Sequence, residues 1–265
     1  MRATGRTAYR MMRFASLGSG SRGNALLVES GSTLVMIDCG LTLKAVQERL
    51  AALGRDPRDI AAVLVTHEHG DHVRGVPTLA KRYRMPVWMT AGTAASGIAR
   101  TLPVTKIFDC SRPLALGDIT IEPFPLPHDA REPCHFTALA GGHRLGMLSD
   151  AGHVTRHIRE RFAGCDALAI EFNHDLDALW AGGYSPQLKQ RIASPHGHLS
   201  NGQAAELVET VAHGELQWVV ALHLSEANNT HERVRGALEL ALAARPETIA
   251  HLATQHEANG WLEIA

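Results

Sequence analysis

Three imidazoles and a carboxylate stand within six residues of one another in the run Thr66-His67-Glu68-His69-Gly70-Asp71-His72. Neutral imidazole and carboxylate together suit zinc foremost, with manganese and iron as alternatives. Alternate side chains of an extended turn point the same way, so His67 and His69 can converge on one ion. Asp71 and His72 lie past the bend and are placed for a second. An isolated His-x-His would mean little, because a lone histidine on an apolar face is usually a satisfied core residue. Four donors this close together are hard to explain as packing.

The flanking pattern says what must hold them. Ala61-Ala62-Val63-Leu64-Val65 is an apolar run that reads as a buried strand. Val73, Val76, Leu79, Ala80 and Tyr83 then recur at helical spacing. The donors therefore sit on a strand-to-helix loop at a strand's carboxyl end, where open α/β sheets place their ligands.

This motif resembles the His-x-His-x-Asp-His signature of the metallo-β-lactamase superfamily, and the likeness runs from Phe14 to about Ala244. It implies a four-layer αββα sandwich. It also implies an Asp after an early strand, met here by Asp38 after Thr33–Ile37, and a lone later His, met by His128 in Leu126-Pro127-His128. An Asp that bridges two metals is matched by Asp150 after Leu145–Ser149, and a last His at a late strand end by His223 after Trp218–Leu222. On this reading one ion takes His67, His69 and His128, the other takes Asp71, His72 and His223, and Asp150 is shared. Asp38 then fixes a ligand His by hydrogen bonding rather than binding metal itself.

Four further motifs narrow the branch. Ser16–Asn24, Glu171–Asp175, Gly197–Asn201 and His223–Asn229 resemble the YycJ (WalJ)-like metallo-hydrolases, which are associated with 5′-to-3′ DNA exonuclease activity. Gly197-His198 followed by His223-Leu224-Ser225 is also similar to ribonuclease Z, where the first His assists catalysis and the second binds metal. Arg22 and Ala227 depart from the residues usual in relatives. The resemblance implies hydrolysis of a phosphodiester by a water shared between two divalent ions and ionised near neutral pH. Asp71 would orient that nucleophile, and His198 would donate to the leaving oxygen.

Local chemistry adds to this. Ser200-Asn201-Gly202-Gln203 fits a capping box ahead of Ala204, Leu207, Val208 and Val211, so His198 precedes a helix N-terminus. The loop Gly18–Asn24 offers Ser19, Arg22 and Asn24 as donors to a 5′-terminal phosphate, although a tight turn joining strands Phe14–Leu17 and Asn24–Val28 accounts for the same residues. Asn173, His174 and Asn228 are further candidates for substrate contact, and turn chemistry explains Asn228 equally well.

At 265 residues with 45% apolar content, one α/β domain spanning 14–265 is expected, with 1–13 a disordered tail or an over-extended start. Cys39, Cys110, Cys134 and Cys165 lack metal or redox spacing and read as reduced thiols of a cytoplasmic protein. No apolar run is long enough to span a bilayer. A net charge of −1 argues against a strongly basic nucleic-acid groove but not against local basic patches or a nuclease, since a metal pair carries the cationic duty at a scissile phosphate. Lys81-Arg82-Tyr83-Arg84 and Arg156, Arg159 and Arg161 read as solvated helix faces. The expected partner is nucleic acid, single-stranded DNA ahead of RNA. An acyl hydrolase acting on a thioester or lactone would use the same ligands and stays open as the alternative.

Overall fold

The structure is a computed structural model that describes residues 11–265. Its strands form two sheets of seven. β1 (Met12–Gly18), β2 (Ala25–Ser30), β3 (Thr33–Ile37), β4 (Ile60–Leu64), β5 (Val87–Met89) and β6 (Thr105–Ile107) build the first. β7 (Leu114–Leu116), β8 (Ile119–Pro125), β9 (Cys134–Ala140), β10 (His143–Leu148), β11 (Ala167–Glu171), β12 (Trp218–Leu222) and β13 (Ile249–Leu252) build the second. The last strand, β14 (Leu262–Ile264), returns to pair antiparallel with β1. Helices α1 (Leu43–Ala52), α2 (Gly70–Val73), α3 (Val76–Tyr83) and α4 (Ala91–Ala95) connect the first sheet. Helices α5 (Arg156–Phe162), α6 (Leu176–Ala181), α7 (Pro186–Ile192), α8 (Asn201–Val211) and α9 (His231–Ala241) connect the second.

Side-chain alternation along the strands produces the layering. In β3, Val35 and Ile37 join the apolar layer between the sheets, while Leu34 and Met36 pack with Val46 and Leu50 of α1 and Leu79 and Ala80 of α3. In β11, Ala167 and Ala169 face the other sheet, and Leu168 and Ile170 pack with Phe162 of α5, Val208 of α8 and Leu238 of α9. Three apolar layers separated by two sheets are the αββα sandwich expected from the motifs. Each sheet is mixed: β3 to β6 are parallel and β1 to β3 antiparallel, and β10 to β13 are parallel while β7 to β10 are antiparallel. Parallel strands aim their carboxyl ends one way, so both sheets deliver loops to a single rim.

The first strand begins at Met12, two residues earlier than the boundary at Phe14 expected from sequence. Met12 is fully buried and pairs with Ser30 and Ile264. Arg13 holds Glu29 at 2.6 Å and lies 4.3 Å from the Trp261 ring centroid. Partners distant in sequence thus draw two residues of the expected tail into the sheet; residues 1–10 of that segment lie outside the described residues. Among the described residues no helix is long and apolar enough to cross a membrane.

Candidate metal centre

Three residues at the rim have backbone that non-glycine residues seldom adopt. Asp38, Asp150 and His223 have φ of 59°, 59° and 53°, and each stands one or two positions past a parallel strand, β3, β10 and β12 respectively. Such a conformation costs on the order of 1–3 kcal/mol unless its surroundings fix it. Here they do: Asp38 N–H donates to Leu64 O at 2.8 Å, and His223 N–H donates to Ser19 Oγ at 2.7 Å. Gly40 serves the same end, because a side chain there would strike the Asp71 carbonyl and push the two loops apart.

His67, His69 and His128 form one cluster, with ligand atoms all within 4.8 Å of one another. The His67 ring centroid is 4.6 Å from that of His69 and 4.9 Å from that of His128. His67 Nδ1 is 2.9 Å from Thr66 Oγ1, and His128 Nδ1 is 3.1 Å from Gly197 O. These outer contacts fix the ring orientation. His67 Nε2 is buried and has no hydrogen-bond partner. Burial lowers the pKa of both His67 and His128, and neighbouring imidazoles add to the effect. Both rings are therefore neutral, the form that binds metal.

Asp71, His72, Asp150 and His223 form a second cluster of the same tightness. His72 Nδ1 is 2.8 Å from Asp38 Oδ2, and Asp38 also accepts from the Thr66 N–H at 2.8 Å and from its hydroxyl at 2.7 Å. Asp38 thus orients a candidate ligand and the loop that carries it. His72 Nε2 lies 3.0 Å from Asp150 Oδ2, and His223 lies 3.4 Å from Asp71 and 3.3 Å from Asp150. Asp150 Oδ1 is also 4.0 Å from His128 Nε2, so this one carboxylate faces both clusters. Burial opposes charge on all four groups, but mutual attraction prevails. His72 and His223 are pushed up, His223 to about 10, while Asp71 and Asp150 are held down. Two adjoining donor sets, one with an unpartnered buried imidazole nitrogen and one with two crowded carboxylates, fit divalent ions.

His198 stands beside the second cluster. Its Nδ1 is 3.2 Å from Glu171 Oε2 and 3.4 Å from Asp150 Oδ1, which leaves Nε2 for a substrate. The capping box at Ser200 and Gln203 is present, and α8 starts at Asn201. Glu171 was not singled out in sequence as a site residue. It is fully buried, and its Oε1 accepts the backbone N–H groups of Ala151 and Leu199 at 2.6 and 3.1 Å. The available signal was a carboxylate closing the apolar run Ala167–Ile170, since a buried charge requires partners.

A cavity of about 380 Å³ opens onto these groups, lined by His69, Asp71, Asp150, His198 and His223. The residues offered in sequence as substrate contacts divide there. Asn173 lines the cavity and also donates from Nδ2 to His223 O at 3.0 Å. The structure does not bring Ser19, Asn24, His174 or Asn228 to the cavity wall. Ser19 and Asn24 turn inward: Ser19 Oγ holds the His223 backbone, and Asn24 Nδ2 lies 3.3 Å from both Asp71 Oδ2 and His72 Nε2. His174 and Asn228 are each 1% exposed and belong to a buried asparagine-rich layer behind the rim. Arg22 points to Glu226, 2.9 Å away, and its neighbour Ser21 lines the cavity instead. Cys39 joins no donor cluster among the described residues, and burial pushes its thiol up to about 12.

The beta-lactamase superfamily domain model matches residues 33–224, a span that holds every candidate ligand. The chain is 32% identical over 235 residues to the exodeoxyribonuclease YycJ of Bacillus anthracis, covering 87% of this chain and 89% of that protein. The chain belongs to the metallo-β-lactamase superfamily, in its YycJ/WalJ-like branch. It is also 34% identical over 226 residues to the exodeoxyribonuclease WalJ of Streptococcus pneumoniae serotype 2, covering 83% of this chain and 84% of the relative. Among solved structures, the metallo-β-lactamase fold protein YhfI from Bacillus subtilis superposes with a TM-score of 0.74 at 17% identity, over 96% of this chain and 99% of that one. That likeness concerns the fold alone.

Proposed function

We propose that this protein is a dinuclear phosphodiesterase that degrades single-stranded DNA from its 5′ end. The observation that carries the reading is the pair of donor clusters joined at Asp150, with His198 held against Glu171 at their edge. The relatives named as exodeoxyribonucleases, alike over most of the chain, support nucleic acid as the substrate. His67, His69 and His128 would hold one ion and Asp71, His72 and His223 the other, with Asp150 available to both. Zinc matches the imidazole-rich donor set best. When bound, the ions would supply charge to ionise a water near neutral pH and to neutralise the non-bridging phosphate oxygens.

The protein's own groups do the rest. Asp71, half-exposed to the cavity, orients the attacking water through a carboxylate oxygen. As the imidazolium, with its Nδ1–H held by the Glu171 carboxylate, His198 gives its Nε2 proton to the departing oxygen and is left neutral. Asp38 and Asn24 keep His72 and Asp71 in register. A cytoplasmic, reducing setting fits the four free cysteines.

The test is metal analysis followed by assay on bis(p-nitrophenyl) phosphate, single-stranded DNA with a 5′-phosphate or a 5′-hydroxyl, and a thioester. The reading requires two ions per chain, cleavage of the phosphodiesters, faster decay of the 5′-phosphorylated strand, and an untouched thioester. Thioester cleavage without phosphodiester cleavage would replace it with an acyl hydrolase. Release of nucleotides from the 3′ end would leave the phosphodiesterase standing and remove the polarity.

A further inference from the structure

Helix α7 stands apart from the other α-helices among the described residues. None of its residues is buried, and neither Leu188 nor Ile192 belongs to any of the three apolar layers. It is nevertheless firmly tied. Ser185 caps it by accepting the Leu188 N–H, and Pro186 sets its first turn. Lys189 Nζ donates to Trp180 O at 2.6 Å, which joins α7 to α6. Arg191 Nε donates to Asp129 Oδ2 at 2.6 Å, which joins α7 to the loop carrying His128. The His198 N–H donates to Ile192 O at 2.9 Å, and a side chain on Gly197 would strike that same carbonyl. A helix held at its end and both flanks, with no core to cover, positions its side chains for something else.

Those side chains line the cavity of the metal centre. Tyr184, Leu188, Arg191 and Ile192 make the wall that faces His69, Asp71 and His198. Among the described residues that line this cavity, Arg191 is the one arginine or lysine. Only its Nε is engaged, by Asp129, so the other guanidinium N–H groups remain to fork onto a phosphate. An aromatic ring, two branched aliphatics and a cation on one wall match the two faces of a nucleotide, a planar base and a charged backbone. A volume of about 380 Å³ lies within the ~300–1,000 Å³ typical of small-ligand pockets.

We propose that the α6–α7 hairpin, residues 176–192, is a nucleoside-recognising wall: a nucleobase flanking the scissile phosphodiester stacks on Tyr184 beside Leu188 and Ile192, and Arg191 contacts a neighbouring phosphate. This rests on the phosphodiesterase reading above. Stacking on an aromatic ring tolerates any base, so the wall selects nucleic acid over other phosphodiesters without selecting sequence.

The experiment uses 5′-phosphorylated oligodeoxynucleotides that are complete, or abasic at the first or at the second nucleotide, alongside bis(p-nitrophenyl) phosphate. The metal-loaded wild type should lose about five- to 150-fold in kcat/KM when one of the two positions is abasic, the range spanned by removing one base–aromatic stack. Tyr184→Ala should suffer the same loss on the complete strand and no longer distinguish it from the abasic one, and Tyr184→Phe should behave as wild type. Arg191→Met should raise KM on all oligonucleotides but not on bis(p-nitrophenyl) phosphate, with little change in kcat; the lost Asp129 contact should lower the melting temperature slightly, and a structural effect alone would raise KM on both substrates. Equal wild-type rates on complete and abasic strands, or a Tyr184→Ala variant that still discriminates, would overturn the hairpin proposal while the phosphodiesterase stands. A wild type that cleaves no phosphodiester would overturn both.

Discussion

The two donor clusters differ in composition and in the hydrogen-bond partners their side chains find within the protein. His67, His69 and His128 are an all-imidazole set in which burial lowers the pKa of His67 and His128, and His67 keeps a buried nitrogen that has no hydrogen-bond partner. Asp71, His72, Asp150 and His223 pair two carboxylates with two imidazoles, and their pKa values are driven apart. The first cluster presents three convergent imidazoles to a divalent ion. The second is a charge network that an ion must enter by replacing protons. Their meeting point is Asp150, which touches both, so disturbing it should affect the two clusters together, whereas other changes should separate them.

The largest expected effect therefore belongs to Asp150→Ala. Hydrolysis should fall to background, and at least one equivalent of metal should be lost, as read by elemental analysis of the purified variant. Retention of two tightly bound ions would break the shared-ligand account. His69→Ala and His223→Ala then sharpen the comparison, since each should empty one cluster and spare the other. Ion-by-ion titration would show it, and loss of the same ion from both variants would mean the clusters are one site.

The next effect is catalytic rather than metal-binding. His198→Ala should keep both ions while kcat drops by roughly 10²–10⁴, the usual range for a positioned acid or base. Glu171→Gln should move in the same direction by less, because the amide still presents one acceptor to the Ala151 and Leu199 N–H groups. Metal loss from the His198 variant with full occupancy in the His223 variant would exchange the roles of the two histidines.

The same contrast explains what was legible in sequence. His67, His69, Asp71 and His72 lie within six residues, so their convergence follows from the geometry of one turn. His128, Asp150 and His223 come from separate strands, and only their shared position after apolar runs, together with the family likeness, places them at one rim. Residue type and strand end could be read, but the direction of a side chain past the strand could not. That is why Asn228 and His174 read as substrate contacts, although the chain turns them into a buried hydrogen-bonded layer. Glu171 was read only as part of a branch motif and given no role, because it closes an apolar strand, where a carboxylate gives no periodic signal. The α6–α7 hairpin was invisible for another reason: helices of six and seven residues make under two turns, too few for a 3.6-residue period to emerge. Nor could the pairing of Arg13 with Glu29 and Trp261 be foreseen, as it joins residues that are distant in the chain.

The smallest expected effect lies away from the metal and serves as the control for it. Glu29 is a nearly buried carboxylate answered by fixed arginines instead of ions. Arg55 holds it through Nε at 2.6 Å and Nη2 at 2.7 Å, and Arg13 through Nε at 2.9 Å and Nη2 at 2.6 Å. Burial raises the Glu29 pKa, but the hydrogen bonds from Arg55 and Arg13 outweigh it, and the net shift is downward from 4.5. A depressed folded-state pKa contributes stability that is fully present above the unfolded value and lost as pH falls below 4.5 through the folded one. Glu29→Gln should thus cost about 1–2 kcal/mol at pH 7, the scale of charge-assisted hydrogen bonds at a partly solvated site, and less at pH 3.5. Urea unfolding at the two pH values, with and without chelator, reads this directly. The Glu29 loss should be the same in both metal states, whereas the stability change of variants in either cluster should differ between the metal-loaded and the chelated protein. A Glu29→Gln penalty that vanished on chelation would mean that the first sheet is braced through the metal centre rather than by its own ion pairs.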